Sequence, residues 1–123
     1  MKRSLLALGA LLALAVLGPC SETASARKAT HRPAWLQKLV ADLEAQPVAN
    51  PPASIVQYEH GGAVFYYQPP RCCDVPGVFY DSEGRRVCSP DGGFTGRGDG
   101  RCPEGLKNLR DGKVVWRDPR SGR

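Results

Sequence analysis

Four thiols in one short stretch are the side chains of this sequence best placed to do chemistry. Of the chain's 5 cysteines, Cys72, Cys73, Cys88 and Cys102 fall within CCDVPGVFYDSEGRRVCSPDGGFTGRGDGRC, and Cys20 stands apart. Downstream of an export signal, such an even set describes a disulfide framework. Adjacent cysteines on extended chain face opposite ways, so Cys72 and Cys73 suit separate partners in Cys88 and Cys102, in either of two pairings. Each such bridge would stabilise a small domain by about 3 kcal/mol. Zinc fits poorly, because the closely spaced ligand pairs of thiolate sites are missing. A strained bridge between the two neighbours, with redox chemistry, is the remaining alternative; a catalytic cysteine would need a free thiol.

Between Cys88 and Cys102 runs a segment, Ser89 to Arg101, carrying Gly92, Gly93, Gly96, Gly98 and Gly100. So many glycines exclude a helix or a regular strand, and flanking bridges would hold the backbone in an exposed turn sequence. Asp91, Thr95 and Asp99 with nearby carbonyls offer hard oxygen ligands for calcium, whereas Arg97 and successive N–H groups offer an anion site. The spacing matches no EF-hand and no phosphate-binding loop. A structural turn and a protein contact loop are the other readings. Arg97-Gly98-Asp99 spells an adhesion tripeptide, too short to carry weight.

Catalysis has little support. His31 falls in a linker and His60 in a turn, neither near a nucleophile motif. Asp74 and Asp81 suit turn and cap formation better than general acid work. The expectation is therefore of no catalytic residue, no metal and no cofactor.

The elements that must position these groups follow from periodicity. Trp35, Leu36, Leu39, Val40 and Leu43 repeat at three and four residues, predicting an amphipathic helix from about Pro33 to Ala45 with Pro33 in its first turn. Asp42 and Glu44 sit unfavourably at its negative end. Asn50-Pro51-Pro52 forces extended chain. Ile55 to Tyr58 and Ala63 to Tyr67 flank a glycine turn, and Val78 to Tyr80 and Arg86 to Cys88 flank Asp81-Ser82-Glu83-Gly84, giving two hairpins. Lys113 to Arg117 is a candidate fifth strand. The fold class predicted is α+β: one N-terminal helix packed on a small antiparallel sheet in two layers, with a disulfide-stapled glycine loop. Alternation would leave some of Tyr66, Tyr67 and Tyr80 on an open sheet face, available for binding.

Lys2 and Arg3 precede an apolar run from Leu5 to Leu17, too short to span a bilayer, and residues 1–26 read as a signal peptide. Leu17-Gly18-Pro19-Cys20 resembles a lipobox, in which Cys20 would be lipidated, although Pro19 departs from it. Ala24-Ser25-Ala26 would instead release a soluble protein. Residues 27–32 form a linker, 33–106 a single domain and 107–123 a basic tail. Basic and acidic groups cancel between Arg27 and Gly100, so the excess sits from Arg101 onward, which suits either weak contact with lipid headgroups or, more plainly, a solvated, fraying end.

Asn50-Pro51-Pro52, Ile55-x-x-Tyr58, Cys72-Cys73-Asp74, Tyr80-Asp81-x-x-Gly84, Cys88 and Gly92-Gly93-Phe94-Thr95-Gly96-Arg97-Gly98-Asp99-Gly100-Arg101-Cys102 stand in one order. From about Trp35 to Pro103 the chain resembles an uncharacterised family of small bacterial envelope domains of the lipoprotein type, whose function is unknown. The resemblance implies an envelope location and no activity. The function expected is an exported, non-enzymatic binding or structural module, periplasmic, membrane-anchored or extracellular, monomeric, with an envelope protein as partner and no nucleic acid. A calcium-binding accessory domain using the Asp91–Asp99 loop is the first alternative; a thiol-redox or small hydrolytic enzyme is the second.

Overall fold

The computed structural model describes residues 32–72 and 74–120. The signal peptide, Cys20, both cleavage sites, His31, Cys73 and the last three residues lie outside the described residues.

The apolar repeat winds Ala34–Glu44 into helix α1, with Leu36, Val40 and Leu43 buried. Each buried aliphatic side chain contributes about 2 kcal/mol of hydrophobic stabilisation. Pro33 is the N-cap, just outside the first turn, and its carbonyl accepts the N–H groups of Leu36 and Gln37 at 3.0 and 3.1 Å. The expectation of an N-terminal helix is corrected in one respect, since α1 begins well inside the chain and is only the first described element. Its negative end is answered from far away in sequence. The Arg120 guanidinium donates to the carbonyls of Glu44, Gln46 and Leu43 at 2.7, 3.3 and 3.4 Å, supplying the positive charge a helix C-terminus favours.

Five strands follow: β1 Ser54–His60, β2 Ala63–Gln68, β3 Val78–Tyr80, β4 Arg86–Cys88 and β5 Lys113–Arg117. A short helix, α2, occupies Glu104–Lys107 between β4 and β5. All paired strands are antiparallel, in the order β4-β3-β2-β1-β5. Gly61 and Gly62 close the β1–β2 hairpin in register His60↔Ala63. In the β3–β4 turn Asp81 accepts the N–H groups of Glu83 and Arg85 at 2.9 and 3.0 Å, so this carboxylate is a turn former. Gly84, at φ 84°, lies under the Trp35 indole, where a Cβ would fall 2.5 Å from the ring. Only glycine fits there.

The sheet carries a core on each face. Under α1, Leu36, Val40 and Leu43 pack on Ala53, Ile55, Tyr66 and Trp116. The opposite face bears a second cluster of Phe79, Cys88, Cys102 and Leu106, flanked by Tyr58, Phe65, Tyr67 and Leu109. The two-layer expectation is therefore corrected: the Cys88–Cys102 segment and α2 form a covering on the second face. Among the described residues no tyrosine-bearing face stays open, because Tyr66 and Tyr80 pack beneath α1 and Tyr67 beneath the loop.

The described part of residues 107–123 contains β5, at the position of the candidate fifth strand Lys113 to Arg117. β5 pairs with β1 through Ile55↔Trp116 and Ser54↔Arg117, and Trp116 is only 7 % exposed. Beyond β5, Asp118 donates its N–H to the Ala53 carbonyl at 2.8 Å and holds Arg120 through both carboxylate oxygens. This segment is part of the fold, not a fraying end.

Candidate functional site

β4 ends at Cys88, which is bonded to Cys102 across a separation of 14 residues. That pairing overturns the expected bridges from Cys72 and Cys73 to these two residues. Spacing could not decide it, because the partners are chosen by how the chain folds back over β3 and not by strand alternation. Cys88 is 1 % and Cys102 5 % exposed, so the bond is sealed within the second core. Cys72 is also disulfide-bonded.

The segment between the bridged cysteines folds on its own backbone. Gly98 and Asp99 donate N–H bonds to the carbonyls of Gly92 and Ser89 at 3.1 and 3.0 Å, and Gly96 to Gly93 at 3.0 Å. The Asp99 carboxylate accepts the N–H of Ser89 at 3.0 Å with one oxygen and that of Arg101 at 2.9 Å with the other. The Arg101 bond and then the Ser89 bond hold its carboxyl below the usual range despite some desolvation. Ser89 is buried and takes a bond from Arg86 at 2.7 Å.

Asp91 is the second anchor. Its Oδ2 accepts the Tyr67 hydroxyl from β2, while its Oδ1 is buried beside Gly77 without a hydrogen-bond partner. Burial, reinforced by the neighbouring carboxylate, pushes the Tyr67 phenol far above its usual range, so it stays a donor. Tyr67 and Phe79 rings lie 4.9 Å apart and Tyr58 and Phe79 6.1 Å, giving Asp91 an aromatic floor.

The candidate loop residues are thus brought into one loop but not to one point. Asp91 faces the sheet, Asp99 closes the loop base, and Thr95 accepts the Arg97 N–H at 3.3 Å. Asp91, Asp99 and Thr95 point to separate partners, so their oxygens do not converge into a ligand cage for calcium. Among the described residues no three His, Cys, Asp or Glu side chains form a metal-holding group. Arg97 is exposed and pairs through its backbone with Gly92. His60 lies against Gly105, at the start of α2.

The residue that sequence reasoning missed is Phe94. It is 95 % exposed, at the outermost turn of the loop. The signal available in the sequence was an aromatic ring set among glycines, where no core can form to bury it.

Fold and loop together define a disulfide-stapled α+β domain that presents one rigid loop. The chain belongs to the family described as a domain of unknown function (DUF6970), which matches residues 41–118. The match runs beyond Pro103 and takes in β5, correcting the narrower extent expected. No curated protein and no solved structure matches the chain.

Proposed function

We propose that the chain is an exported, non-enzymatic binding module of the bacterial cell envelope, and that its stapled loop contacts a protein partner. One observation carries the reading: a phenylalanine 95 % exposed on a loop whose backbone is fixed by a sealed disulfide and by Asp91 and Asp99. Burying such a ring in a partner's pocket gives the kind of aromatic anchor that dominates binding energy. Because the loop is already ordered, little conformational entropy is lost on association. The apolar run at residues 5–17 supports export, and Cys20 would supply a lipid anchor if the lipobox is used.

A photo-reactive phenylalanine analogue placed at Phe94, in cells of the native host, tests the reading. A discrete protein adduct at position 94, absent when the analogue replaces the exposed Lys38 on α1, is expected. Phe94→Ala should abolish co-purification of that same protein while leaving the melting temperature within about a degree, since the ring packs on nothing. Equal adducts from both positions, or none from position 94, would remove the loop from the function.

A further inference from the structure

A cavity of about 220 Å³ opens on the other side of the sheet, bounded by Arg32, Pro33, Leu36, Tyr66, Lys113 and Val115. Tyr66 is only 8 % exposed, and its ring is held edge-on by Trp35 at 5.1 Å. Buried phenols normally find a hydrogen-bond partner. The Tyr66 hydroxyl has none among the described residues, yet it is not one of the polar atoms sealed from solvent, and the cavity it lines is where it opens.

The charges around this hydroxyl have one sign. Arg32 and Lys113 are the only ionisable residues other than Tyr66 on the cavity wall, and neither is in an ion pair among the described residues. One Arg32 nitrogen donates to the Val115 carbonyl at 3.1 Å, which fixes the guanidinium near the rim and leaves its other N–H groups to donate elsewhere. The first turn of α1 borders the cavity through Pro33 and Leu36, with no side-chain cap and no acidic residue. The Leu36 N–H is already given to the Pro33 carbonyl, so what the helix start contributes is the positive end of its dipole, which favours negative charge. Pro33, Leu36, Val114 and Val115 supply an apolar wall, broken only by the neutral amide of Gln57, which a fully hydrated ion such as phosphate would gain little from touching. The volume lies below the range of about 300 to 1,000 Å³ typical of drug-sized ligands, so the occupant is small.

We propose that this cavity binds a small organic carboxylate with an apolar body, its carboxylate taken by the Tyr66 hydroxyl, Lys113, Arg32 and the start of α1, and its body laid against Leu36 and Val115. The site lies across the sheet from the loop and does not rest on the loop reading; either can fail alone.

Benzoate is the probe, with benzamide as the uncharged body and inorganic phosphate as the bare anion. Titration followed by methyl resonances should move Leu36 and Val115 with benzoate and leave them still with benzamide and with phosphate. Tyr66→Phe keeps the ring packed on Trp35, and Lys113→Gln alters only an exposed side chain, so both should fold with unchanged melting temperature. Each should weaken benzoate about tenfold, the loss expected for one charge-assisted hydrogen bond. Benzoate binding unaltered in both variants, benzamide or phosphate binding equally well, or shifts confined to another part of the molecule would each overturn the proposal.

Discussion

The Tyr67 hydroxyl donates to the carboxylate of Asp91, and through this contact the glycine loop is fastened to the central strand of the sheet. Removing the hydroxyl leaves a largely enclosed carboxylate without its donor. Tyr67→Phe should therefore cost about 1 to 3 kcal/mol in urea unfolding. A double-mutant cycle with Asp91→Asn should give a coupling energy of about 1 kcal/mol or more. Additive single effects would mean that the bond contributes nothing to stability.

The Cys88–Cys102 bridge should contribute about 3 kcal/mol, so the double variant Cys88→Ser/Cys102→Ser should unfold at markedly lower denaturant. Both sulfurs are sealed, so reductant added to the folded protein should cleave this bond only as fast as the domain opens. Mass spectrometry after brief reduction and alkylation reads this directly; rapid labelling of Cys88 under native conditions would contradict the buried placement.

Three carboxylates set the acid limit of the fold. The Arg85 side chain holds Asp81 below its usual range, the Arg101 N–H does so for Asp99, and the Arg120 side chain for Asp118. A carboxyl whose folded pKa lies beneath the unfolded value of about 3.9 stabilises fully above that value, and the contribution is lost as pH falls through the folded pKa. Melting temperature should thus stay nearly flat from about pH 7 to 5 and drop below about pH 4. Asp99→Asn and Asp118→Asn together should lower the plateau and flatten the acid limb. An equally steep limb in that double variant would assign the acid sensitivity to other groups.

Gly96 and Gly98 separate backbone freedom from space. Both have φ near 70°, but a Cβ on Gly96 meets nothing within 4 Å, whereas one on Gly98 would stand 2.0 Å from the Ser89 carbonyl oxygen. Alanine at either position incurs about 1 kcal/mol for the left-handed conformation. Gly98→Ala should cost clearly more and disturb the amide resonances of Ser89 and Asp99, while Gly96→Ala should leave them in place. Matching losses from the two would refute the close approach.

Much of the architecture was legible because it rests on local signals. The helical repeat at Trp35, Leu36, Leu39, Val40 and Leu43 marked α1, and the turn residues at Gly61-Gly62 and Asp81 to Gly84 marked both hairpins. What escaped depends on distant partners. Sulfur pairing is decided by which segments meet over Phe79, and adjacency of Cys72 and Cys73 carries no information about that. Charge counting portrayed the segment after Leu106 as solvated, yet Trp116 and Asp118 are buried there and only their contacts with Ile55 and Ala53 reveal why. At the site, Asp91 and Asp99 were readable as important oxygens. Their engagement with Tyr67 and with local N–H groups was not, because an acceptor in a glycine loop looks the same in sequence whether it faces a cation or the chain itself.

The pairing of β5 with β1 places the first and last strands of the described chain side by side. A polypeptide emerging residue by residue from a ribosome or a translocation channel can form both hairpins early, but its sheet stays one strand short and the seat of Arg120 on α1 stays empty until residues beyond Arg117 arrive. Completion of this domain is therefore a late event, waiting on the last strand whatever route the chain takes.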